Sequence, residues 1–473
     1  MCGGKQFIAS ASLGVLCVVS SGCVHYRAQP IVPNQSESAF QQRSLDDPGL
    51  AAFVHSVKPV VSSNWPPKTL SLEAATLIAA YFNPAISLAR SRVGTAEAAI
   101  VTAGGRLNPT AAAAAGYETL SSSPVVLRFE LSLPIETAHK RSYRILEAAK
   151  LADVARMGWK EASWQVYSQV RDAWMDYITA VEDAQAIRRE SKIQTEVVSL
   201  IQQRLSVGEI SRPEWNQSRV AASRAAVDLN AIQGQVAQAR LRLASAMGVP
   251  ESTLAGLQFA TTEYDSPQPM KQLRLGRVQK AGLLNRLDIQ RSLLEYAAAD
   301  ARLHLEIARQ YPDIQLNPGY DFDEGIHKFT FGPSFPVPVW NRNQGPIAEA
   351  EARRSEAKAR FIALQQKAIS EMEESLAQYR SAFLEFQEAD GRWSAIQKDR
   401  ERSMVRAVQL GQDDRLALDA VRLQSVEAQQ ARLQALAKTR AAWSGLENAV
   451  QAPLDDVQWI APQAKSENGR LPH

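Results

Sequence analysis

The chain has 473 residues, with 53 Lys and Arg against 50 Asp and Glu, and 45% of its residues are hydrophobic. A surplus of three positive charges (53 − 50), dispersed along the chain, makes no basic patch and excludes nucleic acid as a natural partner. Only three cysteines are present, and six scattered histidines form no His-Glu-x-x-His, so no disulfide framework, metal site or cofactor is expected.

The N-terminus carries Lys5, an apolar run from Phe7 to Val19 and the ending Ser20-Ser21-Gly22-Cys23. That run is too short to span a bilayer and has the layout of a secretory signal over residues 1–22. The Ser-Gly-Cys ending resembles a bacterial lipobox, which implies acylation (palmitate) of Cys23 as the first residue of the mature lipoprotein. Cleavage there removes Cys2 and Cys17. No other stretch has eighteen consecutive apolar residues, so no transmembrane helix is expected; strands with alternating faces escape that test. Residues 23–69 contain Pro30, Pro33, Pro48, Pro59, Pro66 and Pro67 among polar residues and read as a mostly irregular, lipid-anchored tether.

A first structural repeat follows over residues 70–248. Ser71 caps a helix, broken or re-phased at Asn83-Pro84, that runs to about Gly105. Residues 107–134 then alternate: Leu107, Pro109, Ala111, Ala113, Ala115 and Tyr117, and after a turn Leu127, Phe129, Leu131 and Leu133 against Arg128, Glu130 and Ser132. That period predicts a β-hairpin. From Ala138 to about Leu205 there is no proline, and Val166, Val170, Trp174, Tyr177, Val181 and Ala184 form one helical stripe. At about 1.5 Å per residue such a helix reaches roughly 100 Å, so it must lie against other long helices. A turn at 206–212 leads into a helix from Pro213 to about Met247.

Residues 249–275 read as an equatorial linker, and residues 276–450 repeat the plan. A helix from Gly276 to Tyr311 precedes a hairpin over 313–337, in which Ile314, Leu316, Pro318, Tyr320 and Phe322 share one face. The turn Asp323-Glu324-Gly325 joins it to Phe329, Phe331 and Phe335. A long helix is predicted from Pro346 to about Gln409, then a turn at 410–415, a last helix to Val450 and a polar tail over 451–473. Arg106 and Arg309, Pro109 and Pro312, Tyr117 and Tyr320, and Gly208 and Gly411 each stand 203 apart (309 − 106, 312 − 109, 320 − 117, 411 − 208), which reads as an internal duplication. Two short helices of each repeat match the long one in summed length and are expected to stack end to end beside it.

The fold class expected is therefore mainly α with a small β part, a long helical coiled-coil barrel carrying four transmembrane strands per protomer. Four strands cannot close a barrel, and open edges in hydrocarbon leave backbone groups unpaired at several kcal/mol each. Association is forced, and a homotrimer with a 12-stranded barrel leaves an open lumen. Phe129, Phe322, Phe329 and Phe331 are candidates for the lipid face and Arg128, Glu130 and Lys328 for the water path, although alternation alone leaves open which face is the lumen. Aromatic residues on the helix stripes, such as Trp174 and Tyr379, read as core.

The order and doubled spacing of Asn83-Pro84, Leu107-Asn108-Pro109, Tyr311-Pro312, Pro134, Pro336 and the two helix-turn glycines resemble the TolC-type outer-membrane factors over about residues 70–450. The resemblance implies an outer-membrane exit duct of a tripartite efflux system. Its partners would be a periplasmic adaptor (membrane fusion protein) and an inner-membrane pump of resistance-nodulation-division type. Val207-Gly208-Glu209 and Leu410-Gly411-Gln412 match the family's adaptor-docking tips. Glu214, Asp413, Asp414 and Asp419, with Arg212 and Arg415 as partners, are the implied pore gate, where a ring of carboxylates would favour cations. No phosphate loop or Gly-x-Ser-x-Gly occurs, so no catalytic residue is assigned and export energy must come from a partner. A periplasmic coiled-coil scaffold or adaptor, and a type I secretion duct of the same family, are the alternative readings.

Overall fold

The computed structural model describes residues 25–59, 65–119, 125–260, 266–267, 270 and 273–454. The signal segment, Cys23 and the tail beyond 454 lie outside them. The chain divides into two units, residues 1–43 and 44–473. In the first, α1 (Pro33–Gln41) is an exposed helix with Pro33 in its first turn.

The second unit begins with α2 (Pro48–Val57), where Asp47 Oδ1 accepts from Leu50 N at 2.9 Å. Then come β1 (Thr69–Leu70), α3 (Leu72–Phe82), α4 (Pro84–Gly104), β2 (Thr110–Tyr117) and β3 (Val125–Ile135). The long α5 (Lys140–Ser206) and α6 (Arg212–Met247) complete the first repeat, and β4 (Gln258–Phe259) pairs in parallel with β1. The second repeat has α7 (Leu275–Asn285), α8 (Leu287–Ala308), β5 (Ile314–Asp323), β6 (Ile326–Ser334), α9 (Gln344–Glu388), a π turn (Ala389–Trp393), α10 (Ser394–Gln409) and α11 (Arg415–Val450).

Three features differ from the sequence reading. The stretch read as an irregular tether holds α1 and α2, and Leu45, Leu50 and Val54 are buried with Leu70 and Ile78. Pro33 and Pro48 sit in first turns, where a missing N–H costs nothing and the fixed φ favours a helix start, so they begin helices instead of breaking them. The helix expected from Gly276 to Tyr311 breaks at Arg286, which has extended backbone (φ −58°, ψ 119°). That break is the copy of Asn83 (286 − 83 = 203) without its proline. The helix expected to run unbroken to Gln409 contains the π turn.

From α3 onward the helices follow the duplication. α3 and α7 both have 11 residues and start 203 apart (275 − 72), and α6 and α11 both have 36 and start 203 apart (415 − 212). The breaks matter because the returning helix ends on them. Asn83 Nδ2 donates to Ala246 O at 2.9 Å, and Arg286 Nη1 donates to Ala449 O at 2.9 Å, a contact between positions again 203 apart. Asn83 also caps α4, its Oδ1 accepting from Ala85 N. Arginine cannot accept, so in the second repeat Gln451 Oε1 takes Leu287 N at 2.8 Å. End-to-end stacking therefore occurs, but with α4 and α8 alone; α3 turns away from α4 by 48° into the equatorial core.

In the wall, α4 and α6 pack on one flank of α5, α8 and α11 on the other, and α9 with α10 lies beyond them. At the equator Trp174 is fully buried, with the Phe259 ring tilted against it and against Tyr177 at ring distances of 5.5 and 4.5 Å. The sheet runs in the order β2-β3-β5-β6, all antiparallel, so β3 and β5 join the two repeats and β2 and β6 are its edges.

Candidate functional site

At the strand end the register separates two chemistries. Ala114, Arg128, Asp321 and Lys328 lie opposite one another in a row across the four strands. Arg128 Nε bonds Asp321 Oδ1 at 2.8 Å, and Lys328 Nζ reaches Asp323 at 3.1 Å. Glu130, Ser132, Gln315 and Asn317 share that face by strand alternation. The next row, Ala113, Phe129, Tyr320 and Phe329, lies on the opposite face with Leu127, Phe322 and Phe331. One face thus carries the charges and the other the large apolar side chains. Pairing of β3 with β5 skips the positions opposite Asn317 and Pro318, because proline has no N–H to give a central strand.

Where strands meet helices, polar groups fix the joint. Lys140 Nζ pairs with Asp313 at 2.6 Å, whose carboxylate also accepts from Thr137 N. Glu306 is 3% exposed and binds Asn343 Nδ2, Arg302 and Arg309. Burial alone would raise its carboxyl, but the Asn343 amide and the two guanidinium groups hold it below the usual carboxylate value.

At the opposite end the two turns have matching geometry. Gly208 (φ +78°) and Gly411 (φ +70°) take the left-handed conformation that closes each helix, a position glycine enters without steric cost. Val207 and Leu410 stand exposed beside them, as do Glu209 and Gln412. The residues expected to form a gate are scattered over different tasks. Glu214 reaches back to Ser211 N at 3.1 Å in a capping box, and Arg212 is exposed at the first position of α6. Asp414 caps α11 by accepting from Ala417 N at 2.7 Å, and Asp413 accepts from Asp414 N. Asp419 is buried and bound to Arg422 at 3.1 Å, while Arg415 faces Glu196 at 3.9 Å.

The sequence reading missed the residue that links the turns. Arg204, from the last turn of α5, bonds Asp414 Oδ2 at 2.6 Å, tying the tip of one repeat to that of the other. Backbone donation from Ala417, followed by the Arg204 bond, holds the Asp414 carboxyl below its ordinary value. A larger link lies higher up: Arg171 on α5, 3% exposed, bonds Glu447 and Ser444 of α11. It adjoins Val170 in the apolar stripe, so periodicity alone assigned that face to apolar contacts.

Residues 79–249 match the profile of the outer membrane efflux protein family. Over 296 residues, 62% of this chain and 69% of the other, the sequence is 24% identical to the cobalt-zinc-cadmium resistance protein CzcC of Cupriavidus metallidurans. The fold superposes on the outer membrane protein VceC of Vibrio cholerae with a TM-score of 0.64 at 17% identity, covering 80% of this chain and 96% of that one. It also superposes on the open state of the Neisseria gonorrhoeae MtrE outer membrane channel, with a TM-score of 0.62 at 19% identity, covering 80% and 88%.

Proposed function

We propose that the chain, whose residues 79–249 match the outer membrane efflux protein family, is a member of it and is the trimeric exit duct of a tripartite efflux system, working with an adaptor and an inner-membrane pump. The observation that carries this reading is the sheet: two free edges, β2 and β6, on a four-stranded element with a charged face and an apolar one. In hydrocarbon each unpaired edge group costs several kcal/mol, so the edges must meet edges of further copies. Three copies bring twelve strands. Lipid rejects charge, so the face with Arg128, Glu130, Asp321 and Lys328 lines the lumen and the face with Phe129, Phe322, Phe329 and Phe331 meets acyl chains.

The helical wall supports the same assembly. Within the chain, Gln430 of α11 bonds Glu190 of α5 at 3.0 Å. The copies of these positions are Val227 of α6 (430 − 203) and Trp393 (190 + 203), which are 66% and 42% exposed. Arg440 likewise bonds Glu182 at 3.0 Å, and the copy of Glu182 is the exposed Leu384 (182 + 202). A polar seam inside the chain thus becomes apolar at its outer flanks, as contact between neighbouring copies requires.

Val207-Gly208-Glu209 and Leu410-Gly411-Gln412 are the adaptor-docking tips, and acylated Cys23 anchors the chain to the outer membrane. The pore gate near the tips rests on Asp413, exposed and outside any salt bridge among the described residues, together with Glu214 and Asp414 once their caps loosen. Cargo is carried through, with no bond made or broken; metal ions are one candidate class, given the similarity to CzcC. Reconstitution of the purified protein in planar bilayers tests the reading. Stepwise ion current from a heat-resistant trimer is expected, and a monomer that passes no current rules the duct out.

A further inference from the structure

The charges on the sheet do not balance. On its polar face Arg128 is taken by Asp321 at 2.8 Å and Lys328 by Asp323 at 3.1 Å. These are the lysine and arginine side chains of the four strands, and Glu130 is left in no ion pair among the described residues. The register explains why. Across the sheet Glu130 stands opposite Ala112 on one side and Gly319 on the other, with Thr330 next in the row, so neither neighbouring strand brings a cation to it. A Cβ at Gly319 would meet Thr330 Oγ1 at 2.5 Å, and no longer side chain fits there beside Glu130. The excess continues outward: Glu118, just past β2, and Glu324, in the β5–β6 turn, are exposed and also outside any ion pair among the described residues. At the inner end of the strands the carboxylates are matched instead, Asp313 by Lys140 and Glu136 by Arg144.

In a trimer each unmatched carboxylate is repeated by symmetry around the lumen. Twelve strands about 4.8 Å apart and tilted by about 40° enclose a ring of radius roughly 12 Å, which leaves a glutamate carboxylate within about 8 Å of the axis. That is about one screening length at physiological salt, so every ion crossing this row feels the charge. Three carboxylates at that distance enrich a monovalent cation by roughly twofold and deplete an anion equally. We infer that the barrel favours cations on their way out, and that Glu130 is the residue that sets this preference within the sheet. The preference rests on the duct reading and on the polar face lining the lumen.

A cysteine in place of Thr330, in the same row, reports the local field through its rates with a cationic and an anionic methanethiosulfonate reagent, the parent without it serving as the blank. Glu130→Gln keeps the side-chain shape and should lower the cationic-to-anionic rate ratio by roughly fourfold, the square of that enrichment. Glu374→Gln, exposed far along α9, should leave the ratio unchanged. An equal ratio in Glu130→Gln and its parent overturns the role of Glu130. In planar bilayers under a salt gradient the reversal potential of the parent should lie on the cation side and move toward zero in Glu130→Gln. A changed rate ratio with an unmoved reversal potential overturns the claim that the barrel sets the preference of the duct. A Thr330→Cys thiol that reacts with neither reagent in folded trimers overturns the lumen assignment, whereas a parent protein that passes no current overturns the duct reading itself.

Discussion

Replacing Glu447 by Ala removes the carboxylate that Arg171 meets between α5 and α11, where the two side chains are 4% and 1% exposed. Two charges in contact gain about 4 kcal/mol at an effective dielectric near 20, roughly offset by the several kcal/mol each gives up on leaving water. The pair therefore adds little net stability, but breaking it strands a buried guanidinium. Arg171 would keep Ser444, Ser168, Asn448 and, at 3.5 Å from its Nε, the half-exposed Asp172 carboxylate, and Leu454 N would lose its acceptor at 3.0 Å. The expected cost for Glu447→Ala is about 3–5 kcal/mol per chain. With an unfolding entropy of about 2.1 cal/mol/K per residue, that lowers Tm by roughly 3–5 °C for a chain of this size. Arg171→Met with Glu447→Leu removes both charges, keeps the volume and should recover most of the loss. Far-UV circular dichroism of the detergent-solubilised protein against temperature and urea measures all three variants. A double variant no more stable than Glu447→Ala, or a single variant within about 1 kcal/mol of the parent, would falsify the argument that the penalty is an unpaired charge.

Three further outcomes are expected. Gly248→Ala places a Cβ 3.0 Å from Asn83 Cα and Phe82 O at φ +73° and should cost more than 1 kcal/mol in thermal unfolding, whereas Gln451→Gly, at the copied position, should lose only a cap. The Asp414 carboxyl is depressed in the folded chain, so its stabilisation is complete above the ordinary value near 4 and is lost as pH falls through the lower folded value. Amide exchange at 415–418 should then separate Asp414→Asn from the parent at neutral pH and converge with it in acid. Combining Val227→Cys with Trp393→Cys should give covalent trimers on oxidation, while Val227→Cys with Leu88→Cys, both on the same flank, should give none.

The helices and hairpins were legible because their periods are long and unmixed, and Asn83-Pro84 announced its break through proline chemistry. The break at Arg286 carries no such signal; only the offset from Asn83 points to it, and there the arginine fills the same role by donating to Ala449 O. The π turn was illegible locally, since Ala389, Asp390, Arg392 and Trp393 all sit in ordinary helices. The clue is the fall of the spacing from 203 to 202 between Tyr117–Tyr320 and Pro134–Pro336 (320 − 117, 336 − 134), a residue that must return before the tips. The tip carboxylates carry a second task that their position near a turn does not announce: at a helix start an acidic side chain has backbone N–H groups to satisfy first, and Glu214 and Asp414 do so.

A duplicated chain that closes with copies of itself has two kinds of seam, one inside the chain and one between chains, built on the same geometry. The inner seam can afford buried polarity, because Arg171, Glu182, Glu190 and their partners fold together and are never exposed separately. The outer seam must form by collision between finished protomers, where burying a charge exacts its full desolvation penalty and apolar surface does not. Val227, Leu384 and Trp393 stand where the inner seam has Gln430, Glu182 and Glu190. The divergence between the repeats thus follows from what each flank must meet, and the strand edges β2 and β6 are the same asymmetry written in backbone hydrogen bonds.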